Sequence, residues 1–250
     1  MILGALVAVG AVVAGLASTG VGVSYFLQPT GALIVLGGTV GVLFITTPRR
    51  VLGQCVSRVM ELFWDSGPDR DALMDEILSY AKISRRGGLL AIEPGIPAAS
   101  NRLLREALKL ALDVKTRAEL QASLETQLRL SERQSDAEAR VLETAGGFAP
   151  TIGILGTVVG LMDVLRQFSN LQAVGYGIGT AFVSTLYGLA LANLLLLPAA
   201  HRIRARAAVS LETQEMILEG ALCIFDEVHP ALIQDQLRGY AGERDRARAQ

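Results

Sequence analysis

The sequence predicts an all-α membrane protein: four transmembrane helices, a helical cytoplasmic insert between the second and third, and a helical cytoplasmic tail. Three observations carry that prediction. Hydrophobic residues fill 51% of 250 positions and charged residues only 19%, against roughly 25% charged in an ordinary soluble domain. The charges avoid three windows altogether, Met1–Pro48, Thr144–Met162 and Gln167–Ala200. The charged stretches between them place apolar residues at helical spacing and show no strand-like alternation. With 23 Lys+Arg against 24 Asp+Glu, no global field selects a partner, and the composition excludes a disordered chain or a nucleic-acid binder.

A bilayer core of ~30 Å takes about 20 helical residues. The first window is long enough for two spans joined by a tight turn, over about 2–22 and 31–47, with Gln28 and Pro29 in the turn and Pro48-Arg49-Arg50 as the stop. No Lys or Arg precedes the first apolar run, which argues against a cleaved signal peptide. The third span covers about 147–166 and the fourth about 175–198, with the turn at 169–174. Arg49 and Arg50 follow the second span, and Arg202, Arg204 and Arg206 follow the fourth. The positive-inside bias therefore puts 49–146 and 201–250 in the cytoplasm, with both termini on that side. Cys55 and Cys223 are isolated thiols in charged segments, as a reducing compartment expects.

Within the insert, Ser66-Gly67-Pro68 followed by Asp69, Asp71, Asp75 and Glu76 marks a helix start, with acids at the positive end of the dipole. A second helix is predicted over Ala99–Leu112. Thr116–Glu143 has no glycine or proline and runs helically into span three. Span four continues past His201 as an amphipathic helix to about Val228, where His229-Pro230 breaks it.

An enzyme is not expected. No HExxH, GxSxG or Cys/His cluster occurs, and His201 and His229 are isolated. Gly175-Tyr176-Gly177-Ile178-Gly179 opens a membrane helix without a preceding strand and is no phosphate loop. An ion carrier needs an acid at mid-membrane, where a charge costs about 2.5–3.5 kcal/mol and marks function. The one acid in a span, Asp163, lies near the outer end of span three. If the chain moves ions, another subunit must bring the acid.

Spans three and four present surfaces for such a complex. Pro150, Gly153, Thr157 and Gly160 share one stripe, and Gly177, Ala181, Thr185, Gly188 and Ala192 another, with Ser184 beside Thr185 and Gly156 next to the first stripe. Small residues at this spacing allow close helix approach. Two readings stand: ordinary packing, or hydroxyls lining a water- or ion-containing path. Pro150 and Pro198, near the cytoplasmic ends of their spans, each free a carbonyl and permit bending.

These residues carry a resemblance. Gly37-Gly38-Thr39, Ser84-Arg85-Arg86-Gly87-Gly88-Leu89-Leu90-Ala91-Ile92-Glu93, Ala149-Pro150 through Gly160-Leu161, Ser184-Thr185 through Ala192-Asn193, and His229-Pro230, in this order, resemble the flagellar stator MotA family of the MotA/TolQ/ExbB group. The resemblance spans nearly the whole chain. It implies a torque-generating stator subunit, five copies ringing two single-span MotB-like chains whose aspartate carries a proton or sodium ion. No cofactor is implied beyond that transported ion. The resemblance makes Arg85 and Glu93, with Arg86 beside them, contacts to the rotor protein FliG. It makes Pro150 and Pro198 conformational prolines and places Thr157 and Thr185 near the ion site, with Ser184 beside them on the path; Gly153, Gly156, Gly160, Gly188 and Ala192 are packing positions by their size and spacing. Pro94-Gly95-Ile96-Pro97 replaces further acids that many relatives keep, so the acidic half of the rotor patch is thin. From the residues alone, Arg85 and Arg86 read equally as a solvated helix end. The threonines favour neither ion. The alternative is an ExbB- or TolQ-like energiser of outer-membrane transport or envelope maintenance. A third is a passive membrane scaffold.

Overall fold

The computed structural model describes positions 4, 7, 10, 11, 13–15, 18 and 20, then 26–64, 69–166, 169 and 171–240. More than half of the expected first span, about 2–22, lies outside the described residues. Every element of regular structure among the described residues is helical. In order these are α1 (Pro29–Thr46), α2 (Arg49–Trp64), α3 (Arg70–Gly87), a 3₁₀ segment (Leu89–Ala98), α4 (Arg102–Asp113), α5 (Arg117–Arg166), α6 (Leu171–Ala190), a π segment (Leu191–Leu196), α7 (Leu197–Phe225), α8 (Pro230–Leu237) and a 3₁₀ turn (Arg238–Tyr240). Three helical stretches are long and apolar enough to cross a membrane: Pro29–Thr46, Arg117–Arg166 and Val174–Phe225. The chain divides into two compact units, 1–65 with 135–205 and 66–134 with 206–250.

In the first unit, α1 opens with Pro29 at its first position, where the missing N–H costs nothing. It is apolar around its whole circumference, as a membrane helix is and a surface helix is not. Leu33, Phe44 and Ile45 stay exposed at 75%, 63% and 85%. The Thr39 and Thr46 hydroxyls donate back to the Val35 and Val42 carbonyls, at 2.6 and 2.9 Å, so neither is stranded in hydrocarbon. The helix stops because Thr47 precedes Pro48 and takes the extended conformation, φ −129° and ψ 132°.

Helix α2, which the sequence left as undifferentiated charged insert, is amphipathic. Its Cys55 and Leu62 pack in a small core with Ala139, Leu142, Ala200 and Ile203. Arg58 bridges Glu61 at 3.1 Å and the buried Glu138 at 3.0 Å. Arg204 grips Asp136 at 3.2 Å and Glu143 from α7. Burial lowers the Arg58 guanidinium, but the Glu138 and Glu61 carboxylates together outweigh it and hold the group above its ordinary range; hydrogen bonds to Glu143 and Asp136 raise that of Arg204.

In the second unit, α3 starts at Arg70, two residues later than a first turn led by Pro68 would have it. Asp69 is the N-cap, its carboxylate accepting from the Ala72 N–H at 3.2 Å. Helix α4 starts at Arg102 rather than Ala99, because Asn101 caps it by accepting from the Leu103 and Leu104 N–H groups at 2.8 and 3.3 Å. His229 caps α8 through Nδ1, accepting from the Ala231 N–H at 3.2 Å, with Pro230 in the first turn. The core joins Ile77, Leu104, Leu108, Leu120, Ile217 and Ile224, all at most 1% exposed. Truncating one such side chain to alanine costs about 2–5 kcal/mol. Gly220 makes room for Ile77: a Cβ there would lie 2.7 Å from Ile77 Cγ2.

Helix α5 runs unbroken from Arg117 to Arg166, through Pro150. The fourth apolar segment differs from expectation in two ways. Helix α6 starts at Leu171, inside the expected turn. A π segment then widens the helix at Leu191–Leu196, with the Leu197 N–H reaching the Ala192 carbonyl. Pro198 follows at once. Its ring clashes with the carbonyl four residues back in an α-helix, and a wider turn relieves that clash.

Candidate functional site

The site lies in the first unit, where α5 and α6 cross. Glycines set the separation. A Cβ on Gly153 would come within 2.9 Å of the Ser184 carbonyl oxygen and 3.1 Å of Thr185 Cα. One on Gly160 would meet Ala181 Cβ at 2.8 Å, and one on Gly188 would overlap the Ala149 carbonyl, one residue before Pro150. These neighbours are largely backbone, so no rotamer change relieves the overlap. The small residues are what let two helix backbones meet. Ala192, 1% exposed, is buried in the π segment.

At this crossing the Thr157 and Thr185 hydroxyl oxygens lie 2.5 Å apart. Thr157 Oγ1 also lies 3.2 Å from the Gly153 carbonyl and 3.1 Å from the Ala181 carbonyl, and Thr185 Oγ1 3.4 Å from the Gly153 carbonyl. Each hydroxyl has one proton and two lone pairs. If Thr157 donates to Ala181 and Thr185 donates to Thr157, both protons are used and lone pairs remain. The result is an oxygen-only cluster that can accept from a hydrated proton or ligate a hard cation. It supplies no negative charge of its own.

Ser184 belongs to a different surface from its neighbour Thr185. It is 4% exposed and packs on Gly31 of α1 and Gly156 of α5; a Cβ on Gly31 would sit 2.6 Å from Ser184 Oγ. It lines a cleft of about 400 Å³ with Gly31, Gly156, Gly160, Asp163 and Tyr176. Sequence reasoning missed what closes α1 onto α6. The Tyr187 hydroxyl donates to the Phe26 carbonyl and accepts from the Gln28 N–H at 3.1 Å, and Gln28 Nε2 donates to the Tyr176 hydroxyl at 3.4 Å. Two tyrosines eleven positions apart on one apolar helix were the available signal.

Pro150 is half-buried inside α5, and Pro198 is exposed just after the π segment. The Asn193 side chain donates to the Leu189 carbonyl at 3.0 Å, supporting the widened backbone.

Arg85, Arg86 and Glu93 lie in the second unit, and all three are exposed. The arginines occupy the last turn of α3, where they complement the negative dipole end. Gly88 then reverses the chain with φ 78° and ψ 169°, a conformation essentially confined to glycine. Glu93 follows on the 3₁₀ segment. Two hydrogen bonds hold this motif: the buried Ser84 Oγ to the Ile224 carbonyl at 3.2 Å and the part-buried Tyr80 hydroxyl to the Gly95 carbonyl at 2.8 Å. Among the described residues, none of the three charges forms an ion pair.

Comparison with known proteins agrees with this architecture. The family model for the MotA/TolQ/ExbB proton channel family matches residues 96–216, and that for the motility protein A N-terminal region matches 2–87. The chain is 27% identical to motility protein A of Bacillus subtilis over 249 residues, covering 98% of this chain and 91% of that one. It is 27% identical to the chemotaxis protein PomA of Vibrio alginolyticus over 228 residues, covering 90% and 88%. The fold superposes on the C. jejuni MotAB structure with a TM-score of 0.90 at 26% identity, covering 97% and 95% of the two chains. On the flagellar MotAB stator complex from Bacillus subtilis it gives 0.90 at 26%, covering 99% and 98%. The two family models match 2–87 and 96–216, and the solved structures share the whole fold: this chain is a MotA-like stator subunit, similar over most of its length to the MotA/TolQ/ExbB proton channel family.

Proposed function

We propose that this chain is the ion-conducting, torque-generating stator subunit of a bacterial flagellar motor, working with a MotB-like single-span partner. The Thr157–Thr185 hydroxyl cluster carries the proposal. It is a polar point at a glycine-built crossing of two apolar helices, with lone pairs to spare and no carboxylate. Such a site needs an acid from elsewhere, and a partner helix bearing an aspartate supplies it. Protonation of that aspartate, or sodium binding to it, changes its contacts with the small-polar stripe. Pro150 and the widened turn before Pro198 are where the flanking helices can bend in response.

The topology we infer has four spans, with 49–146 and 201–250 in the cytoplasm of the inner membrane and both termini on that side. The arginines after α1 and at the start of α7 support it. Five copies around two partner chains would place each threonine pair toward the partner in turn. Arg85, Arg86 and Glu93, exposed and unpaired among the described residues, then face the rotor protein FliG and push it through charge pairs. The chain performs no bond-making chemistry in this scheme; ion flow does the work.

Deleting the gene and comparing swimming with filament assembly tests the reading. Paralysed cells with intact filaments are expected, and swimming speed against external sodium then identifies the ion. Normal swimming with an envelope or nutrient-uptake defect would move the chain to the ExbB- and TolQ-like energisers.

A further inference from the structure

Between the charges of the rotor patch, along the chain, lies an exposed apolar side chain that the charge-pair picture leaves unused. Leu90 is 71% exposed, whereas Ile92 and Ile96 of the same segment are 0% and 2% exposed. Of the large aliphatic side chains on the 3₁₀ segment, Ile92 and Ile96 enter the core, Leu89 packs partly buried against it, and Leu90 turns outward. With three residues per turn, Leu90 and Glu93 stand one above the other on the outer side. Arg85 and Arg86 end the preceding helix, separated from Leu90 by the Gly88 reversal and Leu89.

We propose that Leu90 is the apolar anchor of the rotor contact. On this view a hollow on the rotor protein receives it, flanked by acid opposite the Arg85–Arg86 pair and by base opposite Glu93. The inference rests on the stator reading above and deepens it. A single exposed leucine is ordinary on a protein surface; two features set this one apart.

The first is rigidity. Gly88 fixes the chain reversal, Ile92 is buried two residues on, and the Tyr80 hydroxyl holds the Gly95 carbonyl at 2.8 Å. A side chain on so constrained a backbone has little freedom to lose on binding. The second is the company it keeps. Two exposed cations end the preceding helix and an exposed anion stands one 3₁₀ turn beyond Leu90, none paired within the described residues, so charges of opposite sign precede and follow the apolar residue along the chain. Interfaces that hold have this arrangement, an apolar centre within a charged rim. Exposed charge pairs are weak singly and screened within ~8 Å at physiological salt. With Glu93 as the lone acid before Pro94-Gly95-Ile96-Pro97, the charges orient and Leu90 holds.

The test uses the full chain assembled with its own partner, in cells of its own species lacking the chromosomal copy. Leu90→Ser, Leu90→Met and Arg85→Glu are compared for assembled complex, ion conduction of the unplugged complex and dwell time of single stators at the motor. Leu90→Ser is expected to shorten the dwell about tenfold, the effect of losing most of a buried leucine contact on a dissociation constant. Assembly and conduction should stay at the wild-type level, and Leu90→Met should restore the dwell. Wild-type dwell in Leu90→Ser with a clear defect in Arg85→Glu overturns the anchor and leaves the rotor patch standing. Loss of assembly in Leu90→Ser also overturns it, by assigning Leu90 to an interface between copies of this chain. Normal motility in every variant and in the deletion removes the stator reading itself, and the anchor with it.

Discussion

The Thr157 and Thr185 hydroxyl oxygens are 2.5 Å apart, the point at which α5 and α6 are joined by side chains rather than only packed. The crossing around them is built of glycine and alanine, so the polar contact sits on a backbone that cannot shift far to replace it. Structure and proposed conduction meet in this pair.

Thr185→Val keeps the branched shape and removes the hydroxyl. The complex should assemble to the wild-type level, because the net contribution of one such hydrogen bond is about 1 kcal/mol. Ion flow through the unplugged complex should fall roughly fivefold, the same energy expressed as a rate. Flux equal to wild type at matched protein level would remove Thr185 from the path.

Glycine at 153 is a packing requirement. Gly153→Ala puts a methyl group 2.9 Å from the Ser184 carbonyl oxygen, and backbone cannot swing aside. A loss of about 1–3 kcal/mol is expected, read as a lower unfolding temperature of the detergent-solubilised complex. Gly53→Ala on α2 meets nothing within 4 Å and should stabilise by about 0.5–1 kcal/mol through helix propensity. Equal behaviour of the two variants would contradict the crossing described.

Tyr80→Phe keeps the buried ring and deletes the hydrogen bond to the Gly95 carbonyl. The fold should lose about 1 kcal/mol. The sharper consequence is mechanical, since Gly95 lies two residues beyond Glu93 on the same segment. Torque at high load should drop while ion conduction stays normal. A variant that lowers both in proportion would mark Tyr80 as a general stability residue.

Burial, with Glu219 next, pushes the Cys223 thiol up to about 11, although Arg117 pulls the other way. The thiol donates to Gln236 Oε1 at 3.0 Å, a bond the thiolate cannot donate. Folded, the group keeps its proton to about pH 11; unfolded, it loses it near the free value of ~8.5. The native state therefore binds more protons between these values, and stability falls as pH rises through that window. Tyr80 and Tyr240, also raised by burial first, add to the decline. Comparison with Cys223→Ala isolates the thiol: wild type should lose more stability than the variant between pH 7.5 and 10.5 in chemical unfolding. Parallel curves would show that Cys223 does not titrate differently in the two states.

Much of the fold was readable before any coordinates. Thr116–Glu143 lacks glycine and proline and α5 is continuous there; His229-Pro230, read as a helix break, also caps the helix that follows. Asn101 is as local a signal as Asp69, and giving it weight would have placed the start of α4 correctly. The 3₁₀ segment was harder, because Pro94 and Pro97 argue against an α-helix without saying what replaces it. The π segment was not readable. It depends on how a helix accommodates Pro198 while Ala192 stays packed, which is a matter of neighbours rather than of propensity.

The sequence by itself determined that the chain is helical, that it has long apolar helices, which stripes carry small residues, and that no central acid accompanies the hydroxyls. These are properties of one segment at a time, set by charge, by the 3.6-residue period and by the conformational limits of proline and glycine. Tertiary structure decided which hydroxyls meet. Ser184 and Thr185 are adjacent in sequence, yet one packs on Gly31 and Gly156 and the other joins Thr157. It also paired Arg58 with the buried Glu138, 80 residues away, and turned Leu90 outward while burying Ile92. The period fixes which residues share a helix face. The rotation of that face toward a neighbour is fixed only when the glycines of one helix find the backbone of another.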